Sequence, residues 1–143
     1  MSTYPFIVED QPAPGDLQFL EDQIIQYNMT QTGAFDGRAL AIFLRNEQHE
    51  IIAGLSGYTW AGMCEIEFLW VHEDLRGQGY GSRLMGIAED IARERGCHHA
   101  HLDTMSFQAL PFYEKNGYTV YGVLNDLPVG HSRYFLSKVM QVS

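Results

Sequence analysis

The residues best suited to chemistry lie in one stretch, Val71-His72-Glu73-Asp74-Leu75-Arg76-Gly77-Gln78-Gly79-Tyr80-Gly81-Ser82. Glycines at 77, 79 and 81 follow a run that reads as a strand and lead at once into a run that reads as a helix. Glycine lets the backbone turn tightly and leaves main-chain N–H groups open to a close ligand. Successive N–H groups form an anion-binding hollow, and a helix N-terminus adds partial positive charge. The physical expectation is a seat for a phosphate or pyrophosphate. A Walker loop is rejected, because Lys-Ser/Thr should follow its last glycine and Ser82-Arg83 stands there instead. A dinucleotide fingerprint comes nearer: Gly77, Gly79 and Ser82 approach its pattern, and Asp103 stands about where a ribose-binding acid would. That fingerprint starts directly after the strand, however, whereas His72 to Arg76 intervene here and only one parallel unit is available. A glycine-rich connector without a ligand is the plain alternative.

Upstream runs Glu65-Ile66-Glu67-Phe68-Leu69-Trp70-Val71. As a strand, positions 65, 67, 69 and 71 are expected on one face. Two carboxylates on a central strand are costly to bury unless paired or solvated. A cleft would explain Glu65 and Glu67, and their mutual repulsion would favour a proton on one of them. They are candidates for a general base or a cation anchor; a solvated strand end is the alternative. His131, in Leu127-Pro128-Val129-Gly130-His131, is a rival base, since an ordinary imidazole titrates near pH 6.5. Cys97, His99, His101 and Asp103 would share one face of a strand. Residues two apart on one strand rarely converge on a tetrahedral ion and no second cluster exists, so no metal is expected. Tyr58, Trp60, Phe68 and Trp70 read as core or as walls of a substrate cleft, and Cys64, off the glutamate face, as inert.

The elements that must position these residues follow from periodicity. Tyr4–Val8 reads as a short strand. Asp16 is expected to cap a helix over 17–28, with Leu17, Leu20, Ile24 and Tyr27 on one face. Segments 39–45, 50–60 and 63–71 read as an antiparallel meander, with Gly54 and Gly57 as bulge or bend sites. Segment 83–95 is helical, with Leu84, Ile87, Ala88, Ile91 and Ala92 on its apolar face, Glu89, Arg93 and Glu94 off it, and Gly96 at its end. A strand at 99–105, a short helix at 108–116 and strands at 118–123 and 133–139 complete the order β-α-β-β-β-α-β-α-β-β. This is an α/β fold with a mixed, mostly antiparallel sheet flanked by helices.

Arg76-Gly77-Gln78-Gly79-Tyr80-Gly81 resembles the (Gln/Arg)-x-x-Gly-x-(Gly/Ala) signature of the GCN5-related N-acetyltransferase (GNAT) family. Phe112-Tyr113-Glu114-Lys115-Asn116-Gly117-Tyr118 is similar to that family's second signature, a Tyr-x-x-x-Gly-Phe/Tyr turn. The two stand in the family's order and spacing, and the element order matches over nearly the whole chain. The resemblance implies that residues 76–82, Ser82 included, hold the pyrophosphate of acetyl-coenzyme A and that the pantetheine arm runs along the strand ending at Val71. Main-chain groups around Leu69, Trp70 and Val71 are then implied as contacts and oxyanion donors. Tyr113 is implied as the acid that protonates the leaving thiolate. Glu65 stands where some members carry a catalytic glutamate, and the loop of His131 resembles one that carries a histidine base in some relatives, with one residue fewer between Gly and His. Ser106 departs from the pattern: the family often has Asn there, which leaves Ser106 or Gln108 as the substitute contact.

The chain has 143 residues, enough for one domain over 1–143 that buries roughly two-thirds of its unfolded surface. Nine Lys+Arg against eighteen Asp+Glu give a net charge of −9. Binding to nucleic acid is not expected of so acidic a chain, while a cationic small substrate is favoured. Met1 to Asp10 lack the basic and apolar regions of a signal peptide, no run is long enough to span a membrane, and two cysteines make no disulfide framework. A reduced, cytoplasmic protein is expected. The reading is an acetyl-coenzyme A-dependent transferase that acetylates a primary amine of a small molecule directly in a ternary complex, with a homodimer through sheet edges as an option. A non-catalytic acyl-coenzyme A sensor is the alternative, and an adaptor domain without ligand a third.

Overall fold

A computed structural model describes residues 3–141, which divide into two compact units between Phe35 and Asp36. The first unit holds helix α1 (Pro14–Thr32). The helix starts earlier than the pattern suggested. Pro14 presets the first helical turn after the extended Ala13, and no side chain caps the end, so Asp16 lies inside the first turn. Gly33 ends it in a left-handed conformation, its N–H donating to the Met29 carbonyl at 2.8 Å. Leu17, Leu20, Ile24 and Tyr27 gain no burial from their own unit. The strand expected at Tyr4–Val8 does not form: the segment is apolar but enters no ladder, and a strand exists only through partner hydrogen bonds.

The second unit is a six-stranded sheet with two helices. Its strands are β1 (Arg38–Arg45), β2 (Ile51–Trp60), β3 (Met63–Val71), β4 (His99–Met105), β5 (Thr119–Asn125) and β6 (Ser132–Val139), in the spatial order β1-β2-β3-β4-β6-β5. Every neighbouring pair is antiparallel except β3 and β4. That parallel pair meets at three positions only, from Met63–His99 to Glu65–His101, after which the strands part. Helix α2 (Tyr80–Glu94) makes the crossover between them, and α3 (Leu110–Lys115) links β4 to β5. Leu84, Met85, Ala88 and Ala92 of α2 bury against Leu40, Ala53, Leu55, Cys64, Ile66, Ala100, Leu102 and Leu136 of the sheet.

A bulge at Glu67 changes which side chains share a face. Gly57 pairs with Ile66 and Ser56 with Phe68, which leaves Glu67 without a partner. Beyond the bulge, Leu69 and Val71 lie with Ile66 on the α2 side, opposite Leu55 and Ala53. Glu65, Phe68 and Trp70 lie on the other side with Tyr58, Ser56 and Gly54. The single face expected for residues 65, 67, 69 and 71 is therefore split, because one inserted residue reverses the alternation. Phe68 and Trp70 are exposed, and Tyr58 and Trp60 half-buried, so none of the four is core. Gly57 is required by close approach: a Cβ there would overlap the Glu65 carbonyl oxygen.

Glu89 is buried, against the expectation that it faces away from the core. Its carboxylate accepts from the Tyr118 hydroxyl at 3.0 Å and from Lys138 Nζ at 2.7 Å, and Arg93 lies 3.8 Å away. Lys138 also donates to the Asn116 carbonyl at 3.0 Å. Burial and the Glu89 charge hold the Tyr118 phenol well above its ordinary range, so it remains a donor. Periodicity could not show this, because the compensating cation sits on β6, 49 residues away.

Two stability predictions follow from these contacts. Glu89→Ala strands a partly buried ammonium and a buried phenol and should cost about 3 kcal/mol in urea unfolding, with Glu89→Gln less damaging. Gly57→Ala forces the β2–β3 bulge apart and should cost on the order of 1–3 kcal/mol in the same measurement.

Candidate active site

Where β3 leaves β4, a cleft of about 420 Å³ opens. It is lined by Leu69 and Val71 of β3, by Leu75, Arg76, Gly77 and Gly79 of the following loop, by Tyr80, Gly81 and Ser82 of α2, and by Ala109, Phe112, Tyr113 and Lys115 at α3. The loop leaves β3 through one 3₁₀ turn at Glu73–Leu75, capped by His72 Nδ1, which accepts from the Asp74 N–H at 3.1 Å. Arg76 Nε donates to the Val71 carbonyl at 3.0 Å, tying the loop to the strand's end. Gly77 and Gly79 then adopt φ of 75° and 87°, which turns the chain into α2. Beyond the adjoining residues, no protein atom lies within 4 Å of where a Cβ would stand on either, so these glycines also leave the loop surface bare. The first-turn N–H groups of α2 have no intrahelical acceptor, and their residues Tyr80, Gly81 and Ser82 line this space. The donor set is backbone amides, a helix N-terminus and the cations Arg76 and Lys115, which suits a diphosphate.

Helix α3 forms the opposite wall. Phe112 packs on Gly81, whose added Cβ would stand 3.1 Å from the ring, and Asn116 Nδ2 donates to Ser82 Oγ at 3.4 Å. The glycine loop and the Phe112–Tyr118 segment, far apart in sequence, are thus one structure. Tyr113 is buried between the rings of Phe112 and Tyr118, at centroid distances of 5.1 and 6.3 Å. Burial first, and then the Asp103 charge, push its phenol above the ordinary value. A phenol so held keeps its proton at neutral pH and is present as a donor.

The cleft gathers Leu69, Val71, Arg76, Gly77, Gly79, Tyr80, Gly81, Ser82 and Tyr113 from the residues singled out by sequence. Others stand elsewhere. The Gln78 side chain turns back to donate to the Asp74 carbonyl at 3.0 Å. The Trp70 ring is on the opposite sheet face, edge-on to His72 at 6.0 Å. Ser106 Oγ accepts from the Ser132 N–H at 3.0 Å, and Gln108 Oε1 accepts from the Met105 N–H at 2.7 Å, so both close the turn after β4. His131 lies in the β5–β6 loop against Phe107, ring centroids 4.9 Å apart. Glu65 and Glu67 are outside the lining, the first half-buried on the face away from α2 and the second exposed at the bulge. Leu75, Phe112 and Lys115 stood inside the quoted motifs without a role of their own, and Ala109 was not singled out by sequence. Phe112 and Lys115 stand three apart on α3, and that spacing beside Tyr113 was the available signal.

The cysteines take no part. Cys64 is fully buried, and desolvation, with Cys97 nearby, pushes its thiol up to about 11. Asp103, a possible ribose ligand or metal ligand by sequence, is paired with Arg133 at 2.7 Å. Among the described residues, no helix is long and apolar enough to cross a membrane.

Known proteins are similar to this chain over most of its length. An acetyltransferase of Agrobacterium fabrum is 37% identical over 133 residues, covering 93% of this chain and 97% of that one. The blasticidin-S acetyltransferase of Streptomyces morookaense is 33% identical over 114 residues, covering 77% and 84%. A crystal structure of a protein from Agrobacterium tumefaciens superposes with a TM-score of 0.89 at 36% identity, covering 96% of this chain and 100% of that one. A sequence profile of the Acetyltransferase (GNAT) family matches residues 4–118. The chain belongs to the GNAT acetyltransferase family and is an acyltransferase.

Proposed function

We propose that the chain acts as one N-acetyltransferase domain, moving an acetyl group from acetyl-coenzyme A to a primary amine of a small molecule by direct transfer in a ternary complex. The observation that carries this reading is the meeting of the glycine loop, the end of β3 and Tyr113 in one cleft. Acetyl-coenzyme A supplies an acyl carbon activated as a thioester. Gly77, Gly79 and the first turn of α2 bind its diphosphate, with Arg76 and Lys115 adding positive charge. The edge of β3 beyond Glu65, which β4 does not pair, offers strand-like hydrogen bonds to the amides of the pantetheine arm. Main-chain N–H groups near Leu69 and Val71 stabilise the oxyanion.

Glu65, through water, takes the proton of the incoming ammonium, and Glu67 at the bulge attracts the cation. The neutral amine forms the bond to the acyl carbon, the carbon–sulfur bond breaks, and Tyr113 gives its proton to the departing sulfur. The new amide nitrogen sheds its second proton and Tyr113 regains one from solvent, so one proton is released overall. The acidic chain and these carboxylates favour small cationic acceptors, of the polyamine or aminoglycoside kind. The relative named for acetylating blasticidin S supports a small-molecule acceptor.

An amine panel with acetyl-coenzyme A, read by release of free thiol, tests the reading. At least one cationic amine should give turnover; coenzyme bound without thiol release from any amine would favour the sensor instead. Tyr113→Phe should lower kcat about 10²-fold with KM for acetyl-coenzyme A nearly unchanged, the size expected for a lost general acid. Because the phenol is shifted upward, no loss of kcat from its ionisation should appear below pH 10 in the wild type.

A further inference from the structure

Asn116 ends helix α3 where the two walls of the cleft meet. Its side-chain nitrogen serves two acceptors. Nδ2 donates to the Phe112 carbonyl at 2.9 Å and, in the longer of the two bonds, to Ser82 Oγ at 3.4 Å. The first bond fixes the orientation of the amide. A carbonyl oxygen only accepts, so the nitrogen of Asn116, and not its oxygen, must face Phe112; the same nitrogen therefore faces Ser82. The residue is also anchored through its backbone. Its N–H donates to the Phe112 and Tyr113 carbonyls, each at 3.1 Å. Its carbonyl accepts from Lys138 Nζ at 3.0 Å, and that ammonium is held by the buried Glu89 at 2.7 Å. Gly117 follows at a φ of 93°, and a Cβ there would stand 3.3 Å from Lys138 Cε. The chain at 116–117 is thus shaped around the lysine, and the amide is held in one direction.

We propose that Asn116 is a positioning residue for the diphosphate seat, making the Ser82 hydroxyl a donor into the cleft; this rests on the acetyl-coenzyme A reading above. A hydroxyl has one proton and two lone pairs. Facing an N–H, Ser82 Oγ can only accept there, so its proton is left for another acceptor. Ser82 is exposed, stands in the first turn of α2 and lines the cleft. An anionic acceptor suits this arrangement: a phosphate oxygen takes the O–H together with the free N–H groups of the same turn. With a carboxylate at 116, the hydroxyl would give its proton to that residue and turn lone pairs toward the diphosphate. The device moves no proton and forms no covalent bond. It acts on binding of the cofactor and not on the acyl-transfer step.

A double-mutant cycle on the full chain tests this, read by calorimetry as the Kd of coenzyme A with no amine present. Ser82→Ala removes the donor and should weaken binding about tenfold, the size expected for a hydrogen bond to a charged group. Asn116→Ala frees the hydroxyl to turn away and should weaken binding roughly threefold, yet the double variant should bind no more weakly than Ser82→Ala alone, because an effect that acts through the hydroxyl vanishes with it. A role in folding alone would instead add to the Ser82→Ala loss. Asn116→Asp keeps the size of the side chain, reverses its polarity toward Ser82 and should bind more weakly than Asn116→Ala. In turnover, Asn116→Ala should raise KM for acetyl-coenzyme A and leave kcat unchanged. Wild-type affinity in Asn116→Ala or Asn116→Asp, additive losses in the double variant, or a loss confined to kcat would each overturn the proposal and leave the transferase reading standing. A wild-type chain that binds no coenzyme A would overturn both.

Discussion

The structure depends on a strand pair that stops early. β3 and β4 are parallel partners for three positions and then diverge, although β3 stays paired with β2 on both sides of the bulge and β4 stays in register with β6. Backbone N–H and C=O groups seek partners, so two strand edges held apart leave groups that a ligand could pair. Antiparallel neighbours on both outer sides keep the edges apart: β1 and β2 brace β3, while β6 and β5 brace β4. The cleft is therefore a consequence of topology, and the side chains around it tune a gap that the backbone has already made.

A single inserted residue then divides the chemistry between two faces. The bulge at Glu67 places Leu69 and Val71 toward the cleft and α2, and leaves Glu65, Phe68 and Trp70 on the far side. Bulges recur next to active sites because they re-aim side chains without breaking a sheet. Here the bulge depends on Gly57, whose missing Cβ admits the Glu65 carbonyl. The same small residue thus sets the fold of the β2–β3 ladder and the face on which Glu65 lies.

Electrostatics holds the two halves of the sheet to the helix above them. Glu89 of α2 reaches Lys138 on β6 and Tyr118 just before β5, while the apolar side of α2 rests on β1 to β3. Lys138 also takes the Asn116 carbonyl, and Asn116 donates to Ser82 Oγ in the cleft wall. A chain of polar contacts therefore runs from the buried ion pair to the glycine loop. Its stake is high, because in a low-dielectric interior an ion pair that loses one partner costs far more than the intact pair contributes.

Much of this was legible in the chain. Alternation located the strands from Arg38 to Val71 to within a residue, and the glycines at 77 and 79 announced a tight turn into a helix. Both signals are local: period-two patterning reports burial on one sheet face, and a left-handed backbone favours glycine. The motif around Tyr113 was also readable, although its seat against Gly81 was not. What escaped were properties of pairing. Tyr4–Val8 has strand-like residues and no ladder; Glu67 has a strand's alternation and no partner; Glu89 has a surface residue's chemistry and a cation waiting 49 positions away. A sequence states what each segment could hydrogen-bond or bury, but which edge meets it, in what register, is settled only when distant strands close on one another. That closure placed Glu65 on one face of the sheet and the cleft beside the glycine loop on the other.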